Sequence, residues 1–221
     1  MSKIPPASPP TPTPAPDQPA AWQQLLRQHA AHIAGALILL LLVILIPLLT
    51  AAYRRQAAAQ SFEMLSVAQT PAQWEEILNN HAGTPAAPLA ALALAGFHYH
   101  AGNFTEAEEV YLGFQQDFPR HAMLPAARLG LTMCREARGE EALAMEGFRD
   151  FIEMYPDHFL TPQALFGQAR CLARQGDKDA ARIIYEDYLV AHPEGAWSSQ
   201  AEMALNLLRQ EASVARTAPQ N

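Results

Sequence analysis

Residues 125–161 read PAARLGLTMCREARGEEALAMEGFRDFIEMYPDHFLT, and residues 162–198 read PQALFGQARCLARQGDKDAARIIYEDYLVAHPEGAWS. Laid one under the other, they align without a gap at a step of 37. Pro125 falls on Pro162, Gly139 on Gly176, Ala144 on Ala181, Phe148 on Tyr185, Phe151 on Tyr188 and Pro156 on Pro193. The same step carried upstream meets Pro88, Gly102, Ala107, Tyr111, Phe114 and Pro119, and Ala90, Ala127, Ala164 and Ala201 form a further column. A fixed period of this size marks stacked two-helix units, because one helix pair cannot bury both of its apolar faces alone.

In each unit the first helix is expected from just after the leading proline to the glycine. The second carries a small Ala with rings four and seven residues later, which places all three on one helical face. Pro119, Pro156 and Pro193 end the second helices. Asn103 with Glu106 reads as a capping box, and Thr161-Pro162 as an N-cap followed by a first-turn proline. Repeats are expected at 88–124, 125–161 and 162–198. A capping helix is expected over 199–213, with Ala201, Ala204 and Leu207 on its packed side. Residues 56–86 read as a linker with N-capping helices, including one from Thr70-Pro71 through Asn80 that turns Trp74, Ile77 and Leu78 to one side.

Upstream of the repeats, Ile33 to Ala52 is free of Asp, Glu, Lys and Arg, and 13 of its residues are Leu, Ile or Val. Twenty helical residues span about 30 Å, the hydrocarbon thickness of a bilayer. At roughly −0.5 kcal/mol each, the 13 branched residues favour insertion by about 6 kcal/mol. Pro47 lies inside this run and Tyr53, Arg54 and Arg55 follow it as interfacial anchors. The run exceeds the 7–15 apolar residues of a secretory leader and has 32 residues before it, so a retained anchor over 21–55 is expected, spanning about 33–52. Residues 1–20 hold eight prolines and read as a disordered tail, as do 214–221.

The net charge is −7, and from Gln56 onward 21 acidic residues face 11 basic ones, a balance that repels nucleic acid and anionic lipid. Cys134 and Cys171 fit no zinc spacing and, being repeat-equivalent, are expected to lie too far apart to bridge. Of eight histidines, His98 and His100 point to different sides of a helix, and His29 and His32 lie at the membrane edge beside Arg27. His121 and His158 are repeat-equivalent loop residues. No nucleophile elbow, phosphate loop or zincin motif occurs. No enzyme activity, metal, cofactor, small-molecule substrate or nucleic-acid partner is expected.

The columns resemble those of the tetratricopeptide repeat, with its turn glycine at Gly102, Gly139 and Gly176, its small residue at Ala107, Ala144 and Ala181, its aromatic at Tyr111, Phe148 and Tyr185, and its closing proline at Pro119, Pro156 and Pro193. The period departs from the usual 34 by three residues between the closing proline and the next unit, and the first-helix Trp and Tyr positions are largely missing. The form Tyr-Pro-Asp-His-Phe-Leu-Thr-Pro-Gln-Ala-Leu at 155–165 is similar to repeats of periplasmic envelope-assembly proteins. A short tail, one span and a repeat domain resemble the YfgM-type ancillary subunits of the secretion translocon. The resemblance implies an all-α chain: a single N-terminal transmembrane helix, then an α-solenoid of helix pairs. It also implies a non-enzymatic, membrane-anchored adaptor or chaperone-like scaffold for partner or client proteins in envelope export or assembly. The first helices would line a groove of Leu89, Leu92, Gly96, Tyr99 and His100, then Ala126, Leu129, Met133 and Glu136, then Gln163, Phe166, Arg170 and Arg174. Apolar anchors flanked by Arg suit an extended or helical peptide. An alternative is a structural subunit of a larger membrane complex. The resemblance places the tail in the cytoplasm and the repeats in the periplasm, whereas Arg54 and Arg55 against Arg27 lean the other way, so both orientations stay open.

Overall fold

The sequence step of 37 returns as a step between helices. In the computed structural model, which describes residues 21–217, every regular element among the described residues is helical. The order is α1 (Ala21–Val67), α2 (Pro71–Asn80), α3 (Ala87–His100), α4 (Phe104–Asp117), α5 (Leu124–Ala137), α6 (Glu141–Met154), α7 (Thr161–Arg174), α8 (Lys178–Ala191) and α9 (Ser198–Thr217). From α3 to α8 all helices have 14 residues, and each helix from α2 on packs on the next in chain order. This is the expected solenoid of tetratricopeptide type. The chain divides into two compact units at Arg54 and Arg55.

In the first unit, α1 holds a stretch, running on from Ala34, that is long and apolar enough to cross a membrane. Every residue from Leu37 through Leu49 is exposed, and Pro47 lies inside the helix. The expected tail at 1–20 and the last four residues, 218–221, lie outside the described residues. Residues 214–217, expected to be disordered, continue α9 as helix.

The second unit shows why the period exceeds 34. After each second helix the chain makes two successive four-residue turns that share a residue: the His158 N–H donates to the Tyr155 carbonyl (3.2 Å), and the Thr161 N–H to the His158 carbonyl (2.9 Å). The same pair recurs at Phe118/His121/Leu124 and at His192/Gly195/Ser198. His121 and His158 hold this loop, their Nδ1 atoms accepting the Met123 and Leu160 N–H groups (3.2 Å each) and their rings meeting Phe114 and Phe151 edge-on. The expected Thr161 cap is therefore corrected. Leu160 is the N-cap, Thr161 is the first helical residue, and its hydroxyl donates back to the Tyr155 carbonyl, as Ser198 does to His192 (2.6 Å). The Asn103–Glu106 box does not form either. Asn103 has the backbone of Asp177 (φ −83, ψ 66 against φ −85, ψ 69), so the rotamer alone separates it from Asp177, which does cap the Ala180 N–H at 3.0 Å. At the start of α2 the Thr70 N–H donates to Gln73 Oε1 (3.1 Å), a capping bond in the expected place.

The turn glycines Gly102, Gly139 and Gly176 have φ of +81, +76 and +95, the left-handed region that a side chain resists. Ala107, Ala144 and Ala181 are fully buried, which brings the paired helices together. A second small-residue column then seats the rings: a Cβ on Gly167 would lie 2.3 Å from Phe148, and one on Gly130 would lie 2.3 Å from Tyr111. Each ring thus reaches from one unit's second helix onto the next unit's first helix. At the third joint Ala204 takes the glycine's place, and Tyr185 lies tilted against Phe166 of its own unit (5.1 Å between ring centres).

Candidate protein-binding groove

α3 touches α5 directly and α5 touches α7, whereas the second helices pack on first helices. The first helices therefore line the inner side of the curve. Charge follows the same division. Helices α3, α5 and α7 carry four Arg against one Glu, while α4, α6 and α8 carry eleven Asp or Glu against three Lys or Arg. The outer layer is acidic and the groove layer mildly cationic.

On the groove layer, Leu89, Leu92, Tyr99 and Met133 are half-buried and His100 is exposed. Leu92 packs into the cluster of Ala91, Phe114 and Ala127. Tyr99 lies edge-on to Phe104 (5.4 Å between ring centres). Burial raises the Tyr99 phenol pKa, and the nearby Glu136 adds to the rise. Met133 Sδ accepts from Gln163 Nε2 at 3.3 Å. Phe166 is corrected: it is fully buried, wedged between Tyr185 and Tyr188 at 5.1 Å from each ring, and offers nothing to a partner. Leu129 is likewise a core residue.

Arg170 and Arg174 do not flank the groove as free cations. Glu136, only 8% exposed, accepts Arg170 Nε on Oε1 and Nη2 on Oε2, both at 2.7 Å. Arg174 Nη2 reaches the same Oε1 at 3.1 Å, and its Nε pairs with Glu141. Desolvation is the largest single influence and works against both guanidinium charges, but the hydrogen bonds and the negative charges of the neighbouring carboxylates together outweigh it and raise both pKa values. A carboxylate this buried needs such partners. In repeat register Glu136 stands between Tyr99 and Ala173, so the ion cluster belongs to one joint. The next joint carries the same contact with signs reversed: Lys178 to Glu211 at 2.8 Å, where Glu141 meets Arg174.

Beyond this cluster, between α7 and α9, a cleft of about 990 Å³ opens. Ala173 and Tyr185 form its floor, Arg170, Arg174 and Lys178 one edge, and the exposed Met203 (72%) and Leu207 (57%) the other. On α9, Ala201 and Ala204 pack as expected, and one expected position departs. Ala201 and Leu205 face the core, and Leu207, expected on the packed side, faces the cleft. The Met203–Leu207 spacing of four was the signal for an apolar stripe outside the core.

Cys134 and Cys171 are buried free thiols, and desolvation foremost pushes their pKa values up to about 12 and about 11. Such thiols stay protonated and poorly nucleophilic. Among the described residues no group of three or more His, Cys, Asp or Glu is arranged so that it could hold a metal ion.

Residues 126–158 and 163–195 match the tetratricopeptide-repeat family model, two segments again 37 apart. No curated protein matches the sequence. Among solved structures, a Podosopora anserina putative kinesin light chain with nearly identical TPR-like repeats is similar at 15% identity and a TM-score of 0.53, covering 72% of this chain and 86% of that one. A second structure of those repeats has 16% identity, a TM-score of 0.52 and the same coverage. PcrH in complex with the chaperone binding region of PopB has 18% identity and a TM-score of 0.46, covering 56% of this chain and 95% of that one. These likenesses concern the fold.

Proposed function

We propose that the chain is a non-enzymatic, membrane-anchored scaffold that holds partner or client polypeptides on its first-helix layer during envelope protein export or assembly. The observation that carries this reading is the cleft between α7 and α9, where Met203 and Leu207 stand exposed on a helix whose other side is packed. Exposed apolar pairs on a rigid helix suit the apolar face of an incoming helix or strand. The exposed apolar stretch of α1 supports anchoring, since lipid is the environment that covers such a surface. Its arrangement ahead of a repeat domain is similar to that of YfgM-type translocon subunits, a similarity that favours the tail in the cytoplasm and the repeats in the periplasm.

Site-specific photocrosslinking from position 203 or 207 in native membranes tests the binding face. A discrete adduct with another polypeptide is expected from each position, and the adduct from position 203 should be lost on Leu207→Glu. Crosslinks to lipid or solvent only would refute it. Protease added to spheroplasts should digest the region beyond Arg55, and complete protection would reverse the orientation.

A further inference from the structure

A small crevice away from the groove, about 160 Å³ between α4, α5 and α6, is polar where its counterparts are not. Gln115 on α4 and Arg128 on α5 line it. One unit later the same two positions are Ile152 and Leu165, and one unit earlier they are Leu78 and Ala91. The joint between the first two repeats thus replaces an apolar pair with an amide and a guanidinium. Their Nε2 and Nε atoms are both buried and neither has a hydrogen-bond partner. Arg128 Nη1 meets only the thioether of Met154, a weak acceptor. No carboxylate lies within ion-pair reach of Arg128 among the described residues. Arg135, which also lines the crevice, is already paired with Glu108 at 3.1 Å.

Two buried donors left unmade are costly, and an apolar pair at that joint would be the cheaper solution. The space is also more than one bridging water needs, about 10–15 Å³ of water-accessible volume. Beside the donors, Leu131, Phe151 and Met154 give the lining an apolar part, and Thr132, Asp150 and Tyr155 a polar one. We infer that this crevice is a binding site for a single carboxylate on a short aliphatic stem, one oxygen accepting from Arg128 Nε and the other from Gln115 Nε2, with the methylenes against Leu131 and Phe151. Such a group comes either from a free short-chain carboxylate or from an Asp or Glu side chain of a docked polypeptide. The exposed Asp150 at the lining repels an anion and so sets a weak affinity, while Arg135 is offset by Glu108. This site does not depend on the groove reading.

The test uses the full chain, ¹⁵N-labelled in detergent micelles, and follows the Arg128 Nε–H resonance, identified by its loss in Arg128→Leu. Sodium acetate and the α-amide of N-acetylglutamate are titrated separately, each against sodium chloride at equal ionic strength. A saturable downfield shift is expected, with half-saturation on the order of millimolar. It should be tighter in Asp150→Asn. Tighter binding of the glutamate compound assigns the site to a docked side chain, and tighter binding of acetate to a free carboxylate. The variant Gln115→Ile with Arg128→Leu reproduces the neighbouring joint, so its helix content and melting should survive, and the backbone shifts of residues 128–132 caused by carboxylate in the parent should vanish. No saturable response to either carboxylate, a response equal to that of chloride, or backbone shifts persisting in the double variant would each overturn the inference.

Discussion

Replacing Gly167 with Ala tests the joint between repeats directly. The new Cβ would stand 2.3, 2.5 and 2.6 Å from Cζ, Cε1 and Cε2 of Phe148. Ordinary carbon contacts are about 3.5–4.0 Å, so the ring must withdraw by more than an ångström. Phe148 is fully buried against Ala144, Leu129 and Phe151, and has nowhere empty to go. Overpacking of this kind costs about 1–3 kcal/mol. Against it stands the helix propensity gained on removing glycine, about 0.8–1 kcal/mol. Gly113 supplies the control. It lies inside α4 with nothing within 4 Å of an added methyl group, so Gly113→Ala collects the propensity gain alone. The two substitutions should therefore differ by the packing cost, about 1–3 kcal/mol, with Gly113→Ala the more stable. Urea unfolding of the full chain in micelles, followed by helical circular dichroism, measures both midpoints and slopes. Adding Phe148→Leu to Gly167→Ala should recover part of the loss, because the two side chains share one space. Equal stabilisation by Gly167→Ala and Gly113→Ala would refute the ring-in-glycine joint and with it the stacking register.

Gly139→Ala meets no neighbour but must hold φ near +76, so it should cost about 1–2 kcal/mol through backbone strain alone, read as a lowered urea midpoint with an unchanged slope. Arg170→Leu leaves the buried Glu136 with Arg174 as its remaining partner. A loss of about 1–3 kcal/mol is expected in the same assay, smaller than for a fully buried pair because Arg170 is 36% exposed. The raised pKa values of Cys134, Cys171 and Tyr111, about 12, 11 and 12, mean that the folded chain binds protons more tightly than the unfolded one in alkali. Their contribution is complete below pH about 9, the unfolded thiol value, and is lost as pH rises toward 11–12, so stability should fall steeply over that window and less steeply in Cys134→Ala with Cys171→Ala. For the same reason both thiols should resist alkylation at pH 8 until urea unfolds the chain.

Periodicity is legible in one dimension, and what it announced stands: the all-helical solenoid and the small residues that let helices meet. The glycine column at Gly130 and Gly167 was present in the same step of 37 and identifies the ring sockets once the neighbouring unit is in place. Groove assignment by position was less secure. A first helix packs against its own second helix and against the unit before it, so more than one of its faces is covered and the spacing of apolar residues does not say which face is open. Phe166 satisfied the pattern for a lining residue and is core. Leu207 satisfied the pattern for a core residue and faces the cleft.

Residue chemistry alone determined the repeat, its helical character and the apolar stretch of α1, because each follows from the order of side chains along one helix. Which charges are free was decided only when helices from different repeats met. Glu136 and Arg170 are 34 residues apart and become partners because stacking lays α7 beside α5, and burial of that carboxylate then holds the two guanidinium groups that the sequence left available.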